Sequence, residues 1–262
     1  MRTARPTSLA EGRGEAPGAE ARVGRPGCLV TRPEPGATAT AARVATLGWR
    51  PVLAPALILS PVPFAPAPEA QAALLPSAAA IPSLAAAWPA ERPVLAVGQG
   101  TAAAARTAGF LRVLAAEGDG ASLAELAAAR LEPGGGPVLL ASGRGYGDEL
   151  ATGLAARGFS VIRREAYAAA EASELPVGAR AALRDGTLRA ALFFSPRSAR
   201  AILALMREGG FGGAATGIRA IALSGRVAEV LVREPGGLSW GGLDVAPRPD
   251  QDALLALLGP CL

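Results

Sequence analysis

Ala191-Leu192-Phe193-Phe194-Ser195-Pro196-Arg197-Ser198 passes from an apolar strand into a helix through one hydroxyl residue. The short apolar run reads as a buried strand, and the periodic Ala/Leu/Arg segment from Arg197 to Arg207 reads as the helix after it. The same order recurs along the chain. Further strands are expected at Cys28 to Thr31, Val52-Leu53, Gln71 to Leu75, Val94 to Val97, Phe110 to Val113, Val138 to Leu140, Phe159 to Ile162, Ile218 to Leu223 and Leu243 to Val245. Helices are expected between them, at Ala37 to Leu47, Ala78 to Ala87, Thr101 to Ala108, Ser122 to Leu131, Asp148 to Arg157, Leu175 to Arg184, Arg226 to Arg233 and Asp250 to Leu258.

Alternating strand and helix implies parallel sheets with crossover helices, an α/β fold. So many strands in 262 residues divide more easily into two sheets than one. The pattern breaks at Leu57 to Pro68 and Arg163 to Ser173, which read as linkers crossed once outward and once on return. That gives a discontinuous first domain, residues 27–56 plus 172–262, and a second domain over 57–171 that includes the linker strands. Residues 1–26 lack periodicity and read as a disordered leader.

Composition narrows the chemistry. Hydrophobic residues make up 50% and aromatics only 4%, so the cores rest on Leu, Val, Ile and abundant Ala. No His is present, which excludes Ser-His-Asp and Cys-His catalysis and any His metal site. Cys28 and Cys261 form no ligand spacing, so no metal is expected, and they fit a reducing, cytoplasmic setting. The net charge is +4, with every basic residue an Arg scattered along the chain, which argues against nucleic-acid binding. Val52 to Ala67 is the most apolar stretch, and Pro55, Pro61, Pro63 and Pro66 cut it too often for a membrane span.

Small or hydroxyl residues end several strands: Thr31, Ser77, Gly98 to Thr101, Ser142 to Gly147, Ser195 and Ser224. At the carboxyl ends of parallel strands such turns face a crevice, where helix N-termini offer free N–H groups to an anion. Any one of them is equally an ordinary helix cap. Gly98-Gln99-Gly100-Thr101-Ala102-Ala103 formally fits a dinucleotide fingerprint, with Glu117 and Asp119 where a ribose-binding acid belongs, so an NAD(P)-dependent oxidoreductase is the rival reading. Ser142-Gly143-Arg144-Gly145-Tyr146-Gly147 lacks a P-loop lysine but offers backbone N–H groups and the Arg144 fork to a carboxylate. Tyr146 and Tyr167 are the only phenols, protonated at neutral pH and able to donate a proton.

The ordered set resembles the uroporphyrinogen-III synthase family. It comprises Leu29-Val30-Thr31-Arg32-Pro33, Leu47-Gly48, Pro51 to Pro55, Ala96 to Ala102, Arg144 to Leu150, Glu165-Ala166-Tyr167, Leu192 to Ser198 and Ala222-Leu223-Ser224. The resemblance implies two α/β domains joined by a two-stranded linker, the first built from both chain ends. It implies a cytoplasmic, monomeric hydro-lyase that closes the anionic linear tetrapyrrole hydroxymethylbilane to uroporphyrinogen III, without metal or organic cofactor. Tyr167 then matches the tyrosine that helps expel the substrate hydroxyl. Thr101, Ser195 and Ser224 match cleft hydroxyls, and Ser77 matches the Ser of a Phe-Thr-Ser turn. Thr31, Arg32, Gly98, Ser142, Gly143 and Arg144 complete the expected substrate-binding set. Departures are Leu75-Pro76-Ser77 in place of Phe-Thr-Ser, Gly225 where a second hydroxyl is usual, and Pro82, expected to interrupt its helix. With Pro76 so placed, a non-catalytic bilobed binding protein is a third reading.

Overall fold

The computed structural model describes residues 24–233 and 237–261, so most of the expected leader, residues 1–23, lies outside the described residues. The strands are β1 (Gly27–Val30), β2 (Arg50–Leu53), β3 (Leu57–Pro61), β4 (Ala72–Leu75), β5 (Val94–Ala96), β6 (Val113–Ala115), β7 (Val138–Gly143), β8 (Val161–Glu171), β9 (Leu188–Phe193), β10 (Arg219–Ala222) and β11 (Gly242–Val245). The helices are α1 (Gly36–Thr46), α2 (Ile81–Ala87), α3 (Gln99–Thr107), α4 (Gly120–Arg130), α5 (Asp148–Ala155), α6 (Val177–Arg184), α7 (Pro196–Glu208), α8 (Gly225–Val232) and α9 (Gln251–Leu258). No helix among the described residues is long and apolar enough to cross a membrane.

The strands form two sheets. One has the order β11-β10-β9-β1-β2, drawn from both ends of the chain, and its pairs are all parallel. The other has the order β3-β8-β7-β4-β5-β6 and is parallel except where β3 runs against β8. Each sheet is buried on both faces, and the period of two sorts its residues. Leu29, Ala191, Phe193 and Ala220 enter one core, while Cys28, Val30, Leu192 and Ile221 enter the core on the opposite face. In the second sheet Ala73, Leu75, Leu139 and Ala141 face one way, and Ala72, Leu74, Val138 and Leu140 the other. Few aromatics are available, and the edge-on pair Phe193 and Trp240, 5.3 Å between centroids, anchors one of these cores.

Two expectations need correction, at Phe110 and Pro82, and one is met. The strand expected at Phe110 to Val113 begins only at Val113, because Phe110 closes the end of α3 and is buried against it. The segments read as linker strands are strands, β3 and the 11-residue β8, paired antiparallel from Leu57↔Glu171 to Pro61↔Tyr167. Pro82 does not interrupt a helix. It sits in the first turn of α2, where a missing N–H costs nothing, after a short 3-10 turn at Ala78–Ala80.

Candidate functional site

A cleft of about 650 Å³ opens between the two sheets. Its walls are the turns beyond strand carboxyl ends: Arg32 after β1, Pro76-Ser77 after β4, Val97-Gly98 after β5, and Phe194-Ser195 after β9. Its floor comes from the paired linker strands. Leu57 and Leu59 on β3 share a face, as do Tyr167 and Ala169 on β8, and all four line the cleft. Arg197 ties floor to wall, its Nη2 on α7 donating to the Ala169 carbonyl on β8 at 2.7 Å.

Arg32 is the cationic residue of the lining. Its Nη1 donates to Gln251 Oε1 at 2.9 Å and to Thr40 Oγ1 at 3.2 Å, and its Cζ lies 4.7 Å from the centroid of the Phe194 ring. Gln251 Nε2 in turn donates to Thr40 Oγ1 at 3.3 Å. Gly36 leaves room for the guanidinium, since a Cβ there would stand 2.6 Å from Arg32 Cζ and 2.7 Å from Nη2 and displace it. Burial pulls the guanidinium pKa below its usual value, and nearby Glu34 partly offsets this. Desolvation of this kind strengthens the attraction of such a cation for a carboxylate.

Two helix starts face the same space. α3 begins at Gly98 with no side-chain cap, so among the described residues its first-turn N–H groups are open to an anion. A Cβ on Gly98 would come 3.3 Å from Gly118 Cα, so both glycines permit a close backbone approach at this rim. α7 is capped by Ser195, whose Oγ accepts from Ser198 N at 3.1 Å and bonds the buried Ser198 hydroxyl. Ser77 holds the 3-10 turn after β4, its Oγ accepting from Ala79 N at 3.2 Å. Pro76 therefore leaves Ser77 at the cleft.

Tyr167 is placed by a bulge. Ser142 pairs with Glu165 but Gly143 pairs with Tyr167, so Ala166 is skipped in the ladder. The Ala166 carbonyl accepts from Val62 N at 2.9 Å and from the buried Ser83 hydroxyl at 2.7 Å, and the Tyr167 carbonyl accepts from Arg144 N at 2.9 Å. Ala166 and Tyr167, neighbours that a regular strand would send to opposite faces, pack on the same core. Burial raises the phenol pKa. A hydrogen bond with Ser77 lowers it, proximity to Tyr146 raises it and a backbone bond at Gly143 lowers it, and the net direction is up. The phenol is thus held protonated and hydrogen-bonded at the cleft floor.

Of the residues expected from sequence, Arg32, Ser77, Gly98, Thr101, Ser195 and Tyr167 come together in this lining. Thr31, Ser142, Gly143, Arg144 and Ser224 do not line it. Thr31 is fully buried, donating to the Leu192 carbonyl at 2.7 Å across the sheet. Ser142 is buried and donates to the Tyr146 carbonyl at 3.0 Å. Gly143 backs the Tyr167 ring. Arg144 pairs with Glu165 at 2.9 Å, both exposed. Ser224 starts α8 with no side-chain capping bond. Cys28 is inert as well, since burial pushes its thiol up to about 12. Sequence reasoning missed Gln251, Thr40, Phe194 and Gly36, which together seat Arg32. Gln251 lies 219 positions from Arg32, so no local pattern could join them.

The Gly98 turn does join a strand to a helix, with parallel β6 next and Glu117 just beyond it, as a dinucleotide unit would require. Asp119, the other acid considered there, instead caps α4 by accepting from Ser122 N at 2.7 Å.

A family model described as uroporphyrinogen-III synthase HemD matches residues 38–256. The solved uroporphyrinogen-III synthetase of Helicobacter pylori is 18% identical, with a TM-score of 0.56, covering 89% of this chain and 98% of that one. A mutant uroporphyrinogen III synthase of Thermus thermophilus is 22% identical, with a TM-score of 0.42, covering 88% of this chain and 96% of that one. A search of the curated proteins found no match.

Proposed function

The chain belongs to the uroporphyrinogen-III synthase family, and from that premise we propose how its cleft closes hydroxymethylbilane to uroporphyrinogen III. The reaction loses water and inverts the last ring. The observation that carries the residue assignment is the Tyr167 phenol, kept protonated by burial on the floor of a cleft between two sheets. Tyr167 donates its proton to the departing hydroxyl as the carbon–oxygen bond breaks, and water leaves. The extended pyrrole system stabilises the resulting cation, so the protein needs no strong base and no cofactor at this step. Spontaneous closure gives the uninverted isomer. The cleft must therefore present the substituted carbon of the last ring for attack, a matter of proximity and orientation.

Arg32 and the open N–H groups at the start of α3 hold the substrate's acetate and propionate groups in this reading. Ser77, Thr101 and Ser195 supply hydroxyls to the same lining. Residues 27–56 with 172–262, and residues 57–171, act as two domains, and the β3–β8 ribbon between them lets so large a ligand enter and leave. The protein works as a cytoplasmic monomer with no nucleic-acid or membrane partner.

The test supplies freshly generated hydroxymethylbilane and resolves the product isomers after oxidation. The type III isomer is expected. Type I alone, formed at the spontaneous rate, would overturn the proposal and leave a binding protein. Tight NAD(P) binding by fluorescence would instead return the Gly98 turn to the dinucleotide reading.

A further inference from the structure

Both tyrosines of the chain line one cleft, although nothing in the reaction as derived above uses Tyr146. Its surroundings separate a fixed backbone from a free ring. Tyr146 N donates to the Gly143 carbonyl at 3.0 Å, and the Tyr146 carbonyl accepts from Ser142 Oγ at 3.0 Å and from Arg163 Nη2 at 3.1 Å. Gly145 and Gly147 on either side have φ of +76° and +95°, values that L side chains rarely adopt. A Cβ on Gly147 would also crowd Ser142 Oγ at 3.0 Å. The turn is therefore built for one backbone path. The residue is 48% exposed, and among the described residues its hydroxyl makes no hydrogen bond.

A chain with only 4% aromatics has placed one of its rings in solvent on a clamped turn. Exposed alone, an aromatic ring contributes nothing to the core, whereas against a flat π-rich ligand it contributes both area and ring–ring attraction. Tyr146 and Tyr167 line the same cleft, so one ligand held there can meet both phenols.

We propose that Tyr146 is a specificity-determining contact whose ring packs against the terminal pyrrole of the bound substrate and holds it for inversion. This rests on the function proposed above. The ring face does the work in this assignment, and the hydroxyl does not.

The experiment compares Tyr146→Ala, Tyr146→Leu and Tyr146→Phe with the unaltered protein, using freshly generated hydroxymethylbilane. Removing the ring should raise KM by about two- to tenfold, the range of a lost aromatic contact. It should also raise the share of type I isomer, while kcat changes less than KM. Tyr146→Leu should resemble Tyr146→Ala, and Tyr146→Phe should restore both KM and isomer ratio. Equal KM and isomer ratio in all variants would overturn the assignment, as would a Tyr146→Phe variant as impaired as Tyr146→Ala. Failure of the underlying function is read separately, because the unaltered protein would then yield no type III isomer. The site is exposed, so melting temperatures close to the unaltered protein's confirm that each variant is folded.

Discussion

Gly143 and the ring of Tyr167 compete for the same space: a Cβ on Gly143 would stand 2.6 Å from Tyr167 Cε2 and 2.7 Å from Cζ. The two residues are paired in the β7–β8 ladder just past the bulge. Gly143, expected from the sequence in the substrate-binding set, does not line the cleft and lies against the Tyr167 ring. It makes room for the phenol that faces the cleft.

Gly143→Ala should therefore push the Tyr167 ring off its seat without unfolding the sheet. Turnover should fall by at least about tenfold, equivalent to about 1.4 kcal/mol in the barrier, with a smaller change in KM. Steady-state kinetics beside a far-ultraviolet circular dichroism spectrum check this. Normal kcat in a folded variant would mean that the ring position does not matter.

Tyr167→Phe should slow turnover by about 100-fold or more if the phenol delivers the proton, in line with general acid catalysis. The pH dependence carries a sign. Burial raises the Tyr167 pKa, so the active protonated form persists up to and beyond the ordinary phenol value of about 10. Any contribution of the neutral phenol to stability is likewise present below that value and lost as pH rises through the raised one. A kcat profile should show no alkaline limb from Tyr167 below about pH 10.

Arg32→Lys should raise KM by about tenfold, because an ammonium cannot both bridge Gln251 and Thr40 and stack on Phe194. Gly36→Ala should reproduce part of this loss by displacing the guanidinium. Isomer assays over a range of substrate concentrations measure both. A Lys variant with unchanged KM would remove Arg32 from substrate binding.

Asp119→Ala should lower stability at neutral pH by about 1 kcal/mol, the usual cost of a lost helix cap. Hydrogen bonds from Ser122 hold the Asp119 carboxyl below the usual carboxylate range. Its stabilising share is therefore present above the ordinary value near 4 and lost as pH falls through the lower folded one. The difference between variant and parent in urea unfolding should shrink below about pH 4. Activity should be unaffected, since Asp119 caps α4 and does not line the cleft.

The strand–helix alternation, the two-sheet division and the turns at strand ends were all legible in the sequence, because each is set by a local period or a local cap. Phe110 shows where local reading stops: its apolar run resembled a strand, yet the residue is held by the end of α3. Thr31 and Ser142 show the same limit for the site. Each is a hydroxyl at a strand end, as a binding residue should be, and each is buried in a bond to a distant or neighbouring carbonyl.

Sequence alone thus determined most of the elements and their strand–helix order. It also excluded His chemistry outright. Tertiary structure decided which strand-end residues line the cleft. Arg32 gains its seat only when α9 brings Gln251 alongside and β9 ends in Phe194. Tyr167 turns to the cleft floor only because the ladder skips Ala166, whose carbonyl is held by Ser83 and Val62. A strand's period of two is a property of its own backbone, but a bulge depends on the partner strand, and no single segment of sequence encodes both.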